Sequence, residues 1–132
     1  MKLYLAGPMR GYPHYNFPLF LWAACTLRLR GHEVVSPAEL DLEVKCVEWD
    51  MARCELVWDH SQQKTLQRAV SAALACDGMA LLPGWEKSEG VRTEIGATMQ
   101  YASWSYRYFE LDEHLTMHEI TPAEAAERLK PI

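Results

Sequence analysis

Two short apolar runs, KLYLAG at residues 2–7 and MALLPG at residues 79–84, each stop where glycine and proline meet. Runs this short suit buried strands closed by turns, because they are too brief for a helix and Gly and Pro end them. Around them the period changes. Phe17, Phe20, Leu21, Ala24 and Leu27 recur at helical spacing through residue 30 and stop at Gly31, a favourable residue just past a helix end. HEVVSP, residues 32–37, reads as a second strand. Residues 62–76 are helical by propensity, Val91–Tyr101 resumes helical periodicity, and YRYFEL at 106–111 reads as a further strand. TPAEAAERL opens with Thr121 as a helix cap and Pro122 in the first helical position. Residues 38–60 carry mixed, weakly helical signals in AELDLEV and DMARCELVWD and read as a long excursion able to cover a site.

Strands that alternate with helices imply a mostly parallel sheet, since parallel neighbours need crossovers and helices supply them. The expectation is a single α/β domain over residues 1–132. It has three layers, with four to five strands flanked by helices, of the Rossmann or flavodoxin-like kind. A chain of 132 residues with 49% hydrophobic content fits one core of that size. A net charge of −5 argues against a partner made of polymeric nucleic acid but allows one small basic pocket for a nucleotide or nucleoside. The four cysteines, Cys25, Cys46, Cys54 and Cys76, lack the spacing of a disulfide scaffold or metal site and suggest a reducing cytoplasm. His114 and His118 are spaced i, i+4 without a third ligand, so no metal and no cofactor is expected. MKLYLAG is too short an apolar run for a signal peptide, and no segment approaches the roughly 20 apolar residues of a membrane span.

In such sheets a ligand sits beyond the carboxyl ends of the strands, where neighbouring loops part. The relevant loops here are GPMRGYPHYN after the first strand and GWEKSEG after the MALLP strand, each with one cation, Arg10 and Lys87. Together with YLAGPMRG, the stretches CDGMALLPGWEKSEG and EIGATMQYA make the chain resemble the nucleoside 2-deoxyribosyltransferase-like superfamily, including the nucleoside 5′-monophosphate N-glycosidases. The resemblance runs to about residue 101. It rests most specifically on an S-x-G-x-x-x-E-x-G-x-A pattern, met here by Ser88, Gly90, Glu94 and Gly96, with Ala97 one residue ahead of the pattern's alanine.

The resemblance implies a Glu94 nucleophile, a Tyr4 that hydrogen-bonds it, and a substrate site drawn from Gly7, Arg10, Gly11, Asn16, Ser88 and Gly90, in which Arg10, Ser88 and Gly90 serve a 5′-phosphate. It also implies a homodimer, for which QYASWSYRYF offers aromatic surface. The chemistry makes sense on its own terms, since cleavage of an N-glycosidic bond develops an oxocarbenium character that a carboxylate can stabilise and capture. First-turn amides would favour an ionised Glu94 by roughly 0.3–1 kcal/mol. Each role has a plainer counterpart: Glu94 as a helix-start acid, Tyr4 as core, Arg10 and Ser88 as solvated loop residues, Trp85 as core rather than a platform for the base. Asp77 is a substrate-binding candidate that better suits the end of a helix and the start of a strand. One expected acid is missing. The position eight residues before Asp77 is Ala69, which leaves Glu48, Asp50 or Asp59 as stand-ins for protonating the leaving base.

Overall fold

The computed structural model describes residues 1–43, 47–58 and 62–129; the side chains of residues 41–43, 47–50, 55–58 and 62–66 lie outside that description. A five-stranded sheet in the order β2-β1-β5-β6-β7 is built from β1 (Lys2–Ala6), β2 (Glu33–Val35), β5 (Gly78–Leu81), β6 (Arg107–Leu111) and β7 (Met117–Ile120). The first four strands are parallel, and β7 returns antiparallel beside β6. Helices α1 (Phe17–Leu29), α2 (Pro37–Glu43), α3 (Gln62–Leu74), α4 (Glu89–Tyr101) and α5 (Pro122–Arg128) complete a three-layer Rossmann or flavodoxin-like α/β fold.

Residues 38–60 correct the weakly helical reading. Only the first part continues α2, and the rest pairs as an antiparallel hairpin of β3 (Val47–Asp50) and β4 (Glu55–Trp58). The turn between them passes through Cys54 at φ +52°, a conformation that ends helical periodicity. β7 had no clear signal because its two central residues are exposed, so this edge strand reads as polar.

Strand alternation sorts the core onto two faces. Leu3 and Leu5 of β1 pack with Phe20, Ala24 and Leu27 of α1, whereas Tyr4 and Ala6 pack with Ala73 of α3 and Val91 and Ile95 of α4. One row runs through all five strands: Val35, Tyr4, Met79, Tyr108 and Ile120 stand in register. Because α1 covers one face and α4 the other, the chain leaves β1 and β5 in opposite directions, and the switch point lies between their carboxyl ends. No helix among the described residues is long and apolar enough to cross a membrane. Cys25, Cys54 and Cys76 are free thiols, and Cys46 lies outside the described residues.

Candidate functional site

The two loops at the switch point meet through glycines. A Cβ on Gly7 would lie 2.7 Å from Leu82 Cβ, so the ends of β1 and β5 close together only with hydrogen at this position. Gly84 has φ +87°, and a Cβ there would stand 2.9 Å from the Tyr12 hydroxyl and 3.4 Å from Pro8 Cγ. In the first loop Asn16 donates from Nδ2 to the Pro8 carbonyl at 2.8 Å, folding the loop back on itself. Asn16 thus has a structural partner at a position expected to bind substrate. Gly11 turns the chain at φ +82°, and His14, Tyr15 and Asn16 follow with φ between 51° and 63°. Left-handed side-chain-bearing residues cost on the order of 1 kcal/mol each, so strain is concentrated in this loop. Arg10 is exposed there, without an ion pair among the described residues.

The second loop delivers α4. Ser88 caps the helix by accepting the Val91 amide at Oγ, at 3.4 Å, and the amides of Glu89 and Gly90 precede the helical hydrogen-bond ladder. That end is a favourable place for an anion. Gly90 lies between Ser88 and Glu94: a Cβ on it would be 3.8 Å from Ser88 Oγ and 3.9 Å from Glu94 Oε1. The space above Gly90 is therefore bordered by a hydroxyl and a carboxyl.

Glu94 lies in the second turn of α4 and is buried against the sheet, where the Tyr4 hydroxyl is close enough to its carboxyl to favour the charged form. Its Oε2 is buried without a further hydrogen bond among the described residues. Burial dominates, pushing the pKa from 4.5 up to about 8, and the Tyr4 hydroxyl opposes this only in part. The expectation of a carboxylate kept ionised by the helix start is thereby corrected. A dipole contribution of roughly 0.3–1 kcal/mol cannot offset a desolvation that, at about 1.4 kcal/mol per pH unit, amounts to several kcal/mol.

Other sequence positions singled out above have a definite place in the fold. Trp85 is fully buried in the α3/α4 core and donates from Nε1 to Glu110 Oε1 at 3.3 Å, where Arg128 also binds, so it is a core residue and not a platform for a base. Asp77 lies at the amino end of β5; its Oδ2 accepts the Lys2 amide at 3.0 Å and its own amide reaches the Lys2 carbonyl at 2.8 Å. It fastens the opposite edge of the sheet from the loops above. Ala69 packs in the apolar layer of α3 with Tyr4, so the missing acid leaves no carboxyl there. Asp59 lies outside the described residues, and Glu48 and Asp50 are placed by backbone alone. The histidine pair proves to sit on a hairpin: His118 bonds Asp112 at 2.9 Å, and no group able to hold a metal occurs among the described residues.

Sequence reasoning missed Thr98 and Tyr108, whose hydroxyls lie 2.7 Å apart, buried, one helical turn beyond Glu94. The alternation in YRYFEL was the available signal, since it puts Tyr106 and Tyr108 on one face.

Residues 1–102, which hold every part of this site except Tyr108, match the family described as a domain of unknown function, DUF4406. The chain belongs to the DUF4406 family. That description does not itself name a deoxyribosyltransferase-like superfamily, and β6, β7 and α5 lie beyond the matched residues. No curated protein matches the chain.

Proposed function

We propose that this DUF4406 protein cleaves the N-glycosidic bond of a nucleoside 5′-monophosphate by double displacement through Glu94, as its resemblance to the deoxyribosyltransferase-like superfamily implies. The observation that carries the reading is a buried carboxyl, faced by a tyrosine hydroxyl, beneath the start of a helix at the sheet's switch point. The carboxylate attacks the anomeric carbon, and the electron pair of the C–N bond leaves on the base nitrogen, which takes up a proton. Water then attacks the glycosyl ester, releasing the sugar 5-phosphate and restoring the carboxylate; a second base in place of water gives exchange. Arg10 and the first-turn amides of α4 hold the phosphate. With a pKa near 8, Glu94 is about one-tenth ionised at pH 7, so turnover rises with pH through that value.

Ala69 favours a second reading, a nucleotide-binding module without turnover, because α3 presents an apolar side chain where leaving-group protonation would be served. Purified protein incubated with a panel of nucleoside monophosphates and the matching nucleosides, with free base followed over time, separates the two. Base release that disappears in Glu94→Gln supports the enzyme, and tight binding without release supports the module. The reading further places the protein in the cytoplasm as a homodimer, with Met99, Tyr101 and Trp104 at the end of α4 as the exposed apolar surface a second copy would cover. A monomer in sedimentation at micromolar concentration would remove the dimer.

A further inference from the structure

Tyr4, Met79 and Tyr108 stand side by side on β1, β5 and β6, so the two tyrosines are two strand spacings, about 10 Å, apart on the face beneath α4. Glu94 and Thr98, four residues apart, share the buried side of that helix. Each tyrosine serves one of them. The Tyr4 hydroxyl meets the Glu94 carboxyl, and the Tyr108 hydroxyl lies 2.7 Å from Thr98 Oγ1. Thr98 Oγ1 is in turn 3.0 Å from the Glu94 carbonyl and 2.9 Å from the Ile95 carbonyl.

Counting protons fixes the direction of this chain. Carbonyl oxygens only accept, so the Thr98 hydroxyl donates to the Glu94 and Ile95 carbonyls. Its oxygen is then free to accept from Tyr108. In the opposite sense the buried Tyr108 proton would have no acceptor among the described residues, at the cost of an unsatisfied donor. The backbone of the Glu94 turn is thus tied to β6 while its carboxyl faces Tyr4 on β1. A slide or rotation of this turn breaks the link to β6 and shifts the carboxyl against Tyr4.

We propose that Tyr108, acting through Thr98, is a positioning residue that sets the height and rotation of the Glu94 carboxyl against Tyr4. The proposal rests on the reading of Glu94 as the reacting group for its catalytic consequence, but the placement itself can be measured without turnover. In the ligand-free full chain, the titration midpoint of the Glu94 carboxyl carbon is followed by NMR in wild type, Tyr108→Phe, Thr98→Val, Thr98→Ser and Tyr106→Phe. Tyr106 is the control: a buried tyrosine just before β6, in the same core layer, whose hydroxyl donates to the Ala73 carbonyl on α3, at 3.0 Å, rather than to the Glu94 turn.

Tyr108→Phe and Thr98→Val are expected to lower the midpoint by about half a pH unit or more, as the loosened carboxyl gains solvent. Both also lower kcat for base release about tenfold with KM within about twofold. Thr98→Ser, which keeps the oxygen, stays with the wild type, and Tyr106→Phe leaves the midpoint unmoved. A Tyr108→Phe midpoint equal to wild type, or an equal shift in Tyr106→Phe, overturns the proposal. Absence of base release in the wild type overturns the glycosidase reading instead, and the titration then decides the positioning role alone.

Discussion

The α1 side of the sheet is closed by Leu3, Leu5, Phe20, Ala24 and Leu27, while the α3/α4 side buries the hydroxyls of Tyr4, Tyr106, Tyr108 and Thr98 and the carboxyl of Glu94. One five-residue strand, β1, feeds both, sending its leucines one way and Tyr4 the other. The core of the apolar side is held by area and packing, which ask nothing of geometry beyond fit, with polar bonds such as Arg28 to Glu39 and the Val34 carbonyl confined to its rim. The other side has to satisfy each polar atom individually, and the hydroxyls of Thr98, Tyr106 and Tyr108 find carbonyl or side-chain acceptors. Glu94 is the exception, with one oxygen lacking a full complement of bonds. The difference teaches where the fold stores stability and where it gives some up for a reactive group.

Replacing Glu94 by Gln breaks the comparison most severely. Base release should fall by about a thousandfold or more, as loss of a covalent nucleophile does, while stability moves the other way above neutral pH. Folding raises the Glu94 pKa from 4.5 to about 8, so in that window the folded chain keeps a proton that the unfolded chain has lost. The contribution of Glu94 to stability is full below the unfolded value and is lost as pH rises, by about 1.4 kcal/mol per pH unit, levelling off beyond the folded pKa. Urea melts of wild type and Glu94→Gln from pH 5 to 9 should diverge with this slope. Parallel curves would show a carboxyl of ordinary pKa and a site open to water.

Phe20→Ala tests the scaffold side. Phe20 is fully buried beneath α1, and its truncation should cost about 3–5 kcal/mol. The Glu94 titration and nucleotide affinity of the surviving folded protein should not change, because no polar contact of the opposite face passes through it. A shift of the Glu94 midpoint in this variant would mean that the two faces are coupled and not merely back to back.

The comparison also explains how much was legible beforehand. Strand runs ended by Gly7-Pro8 and Pro83-Gly84 and the helical period from Phe17 announced the parallel sheet, since those signals are local. The loops were legible as loops, and Glu94, Ser88 and Gly90 do lie together at the start of α4. Trp85 and Asp77 each carried a plainer reading beside the substrate one, and the structure places them in it: Trp85 turns inward to Glu110 and Asp77 faces the amino edge. The pKa of Glu94 was unreadable for a related reason. A helix start is visible in the sequence, but the depth of burial depends on how α4 packs against β1, from a segment ninety residues earlier. Thr98 and Tyr108 needed the register of β6 on β5.

Arg10 and Ser88 sharpen the contrast within the site itself. Arg10→Ala should weaken a nucleoside monophosphate by roughly one to two orders of magnitude, from charge-assisted hydrogen bonds of about 1.5–3 kcal/mol, and leave the melting curve unchanged because the side chain is exposed. The matching nucleoside should hardly respond. Ser88→Ala removes both a phosphate donor and the acceptor of the Val91 amide, so its smaller loss of affinity should come with about 1 kcal/mol of lost stability. Calorimetric titration of both ligands against both variants checks this. Equal losses for nucleotide and nucleoside would remove the phosphate site and favour a transferase acting on free nucleosides.

The smallest effect is expected at Gly90, and it has two opposite signs. Gly90 is in the first turn of α4 with ordinary helical backbone, so Gly90→Ala should stabilise the protein by about 0.5–1 kcal/mol through the unfolded chain's lost freedom. Nothing resists the methyl sterically, since its nearest neighbours, Ser88 Oγ and Glu94 Oε1, lie 3.8 and 3.9 Å away at ordinary contact. Those neighbours are the groups that a substrate must reach. The added methyl stands in the space they border, and kcat/KM should fall several-fold while Tm rises by a few degrees. Thermal melts and initial rates on one preparation measure both. A variant that gains stability with undiminished turnover would show that substrate approaches Glu94 from elsewhere, by way of the first loop and Tyr12, and would move the mouth of the site from α4 to β1.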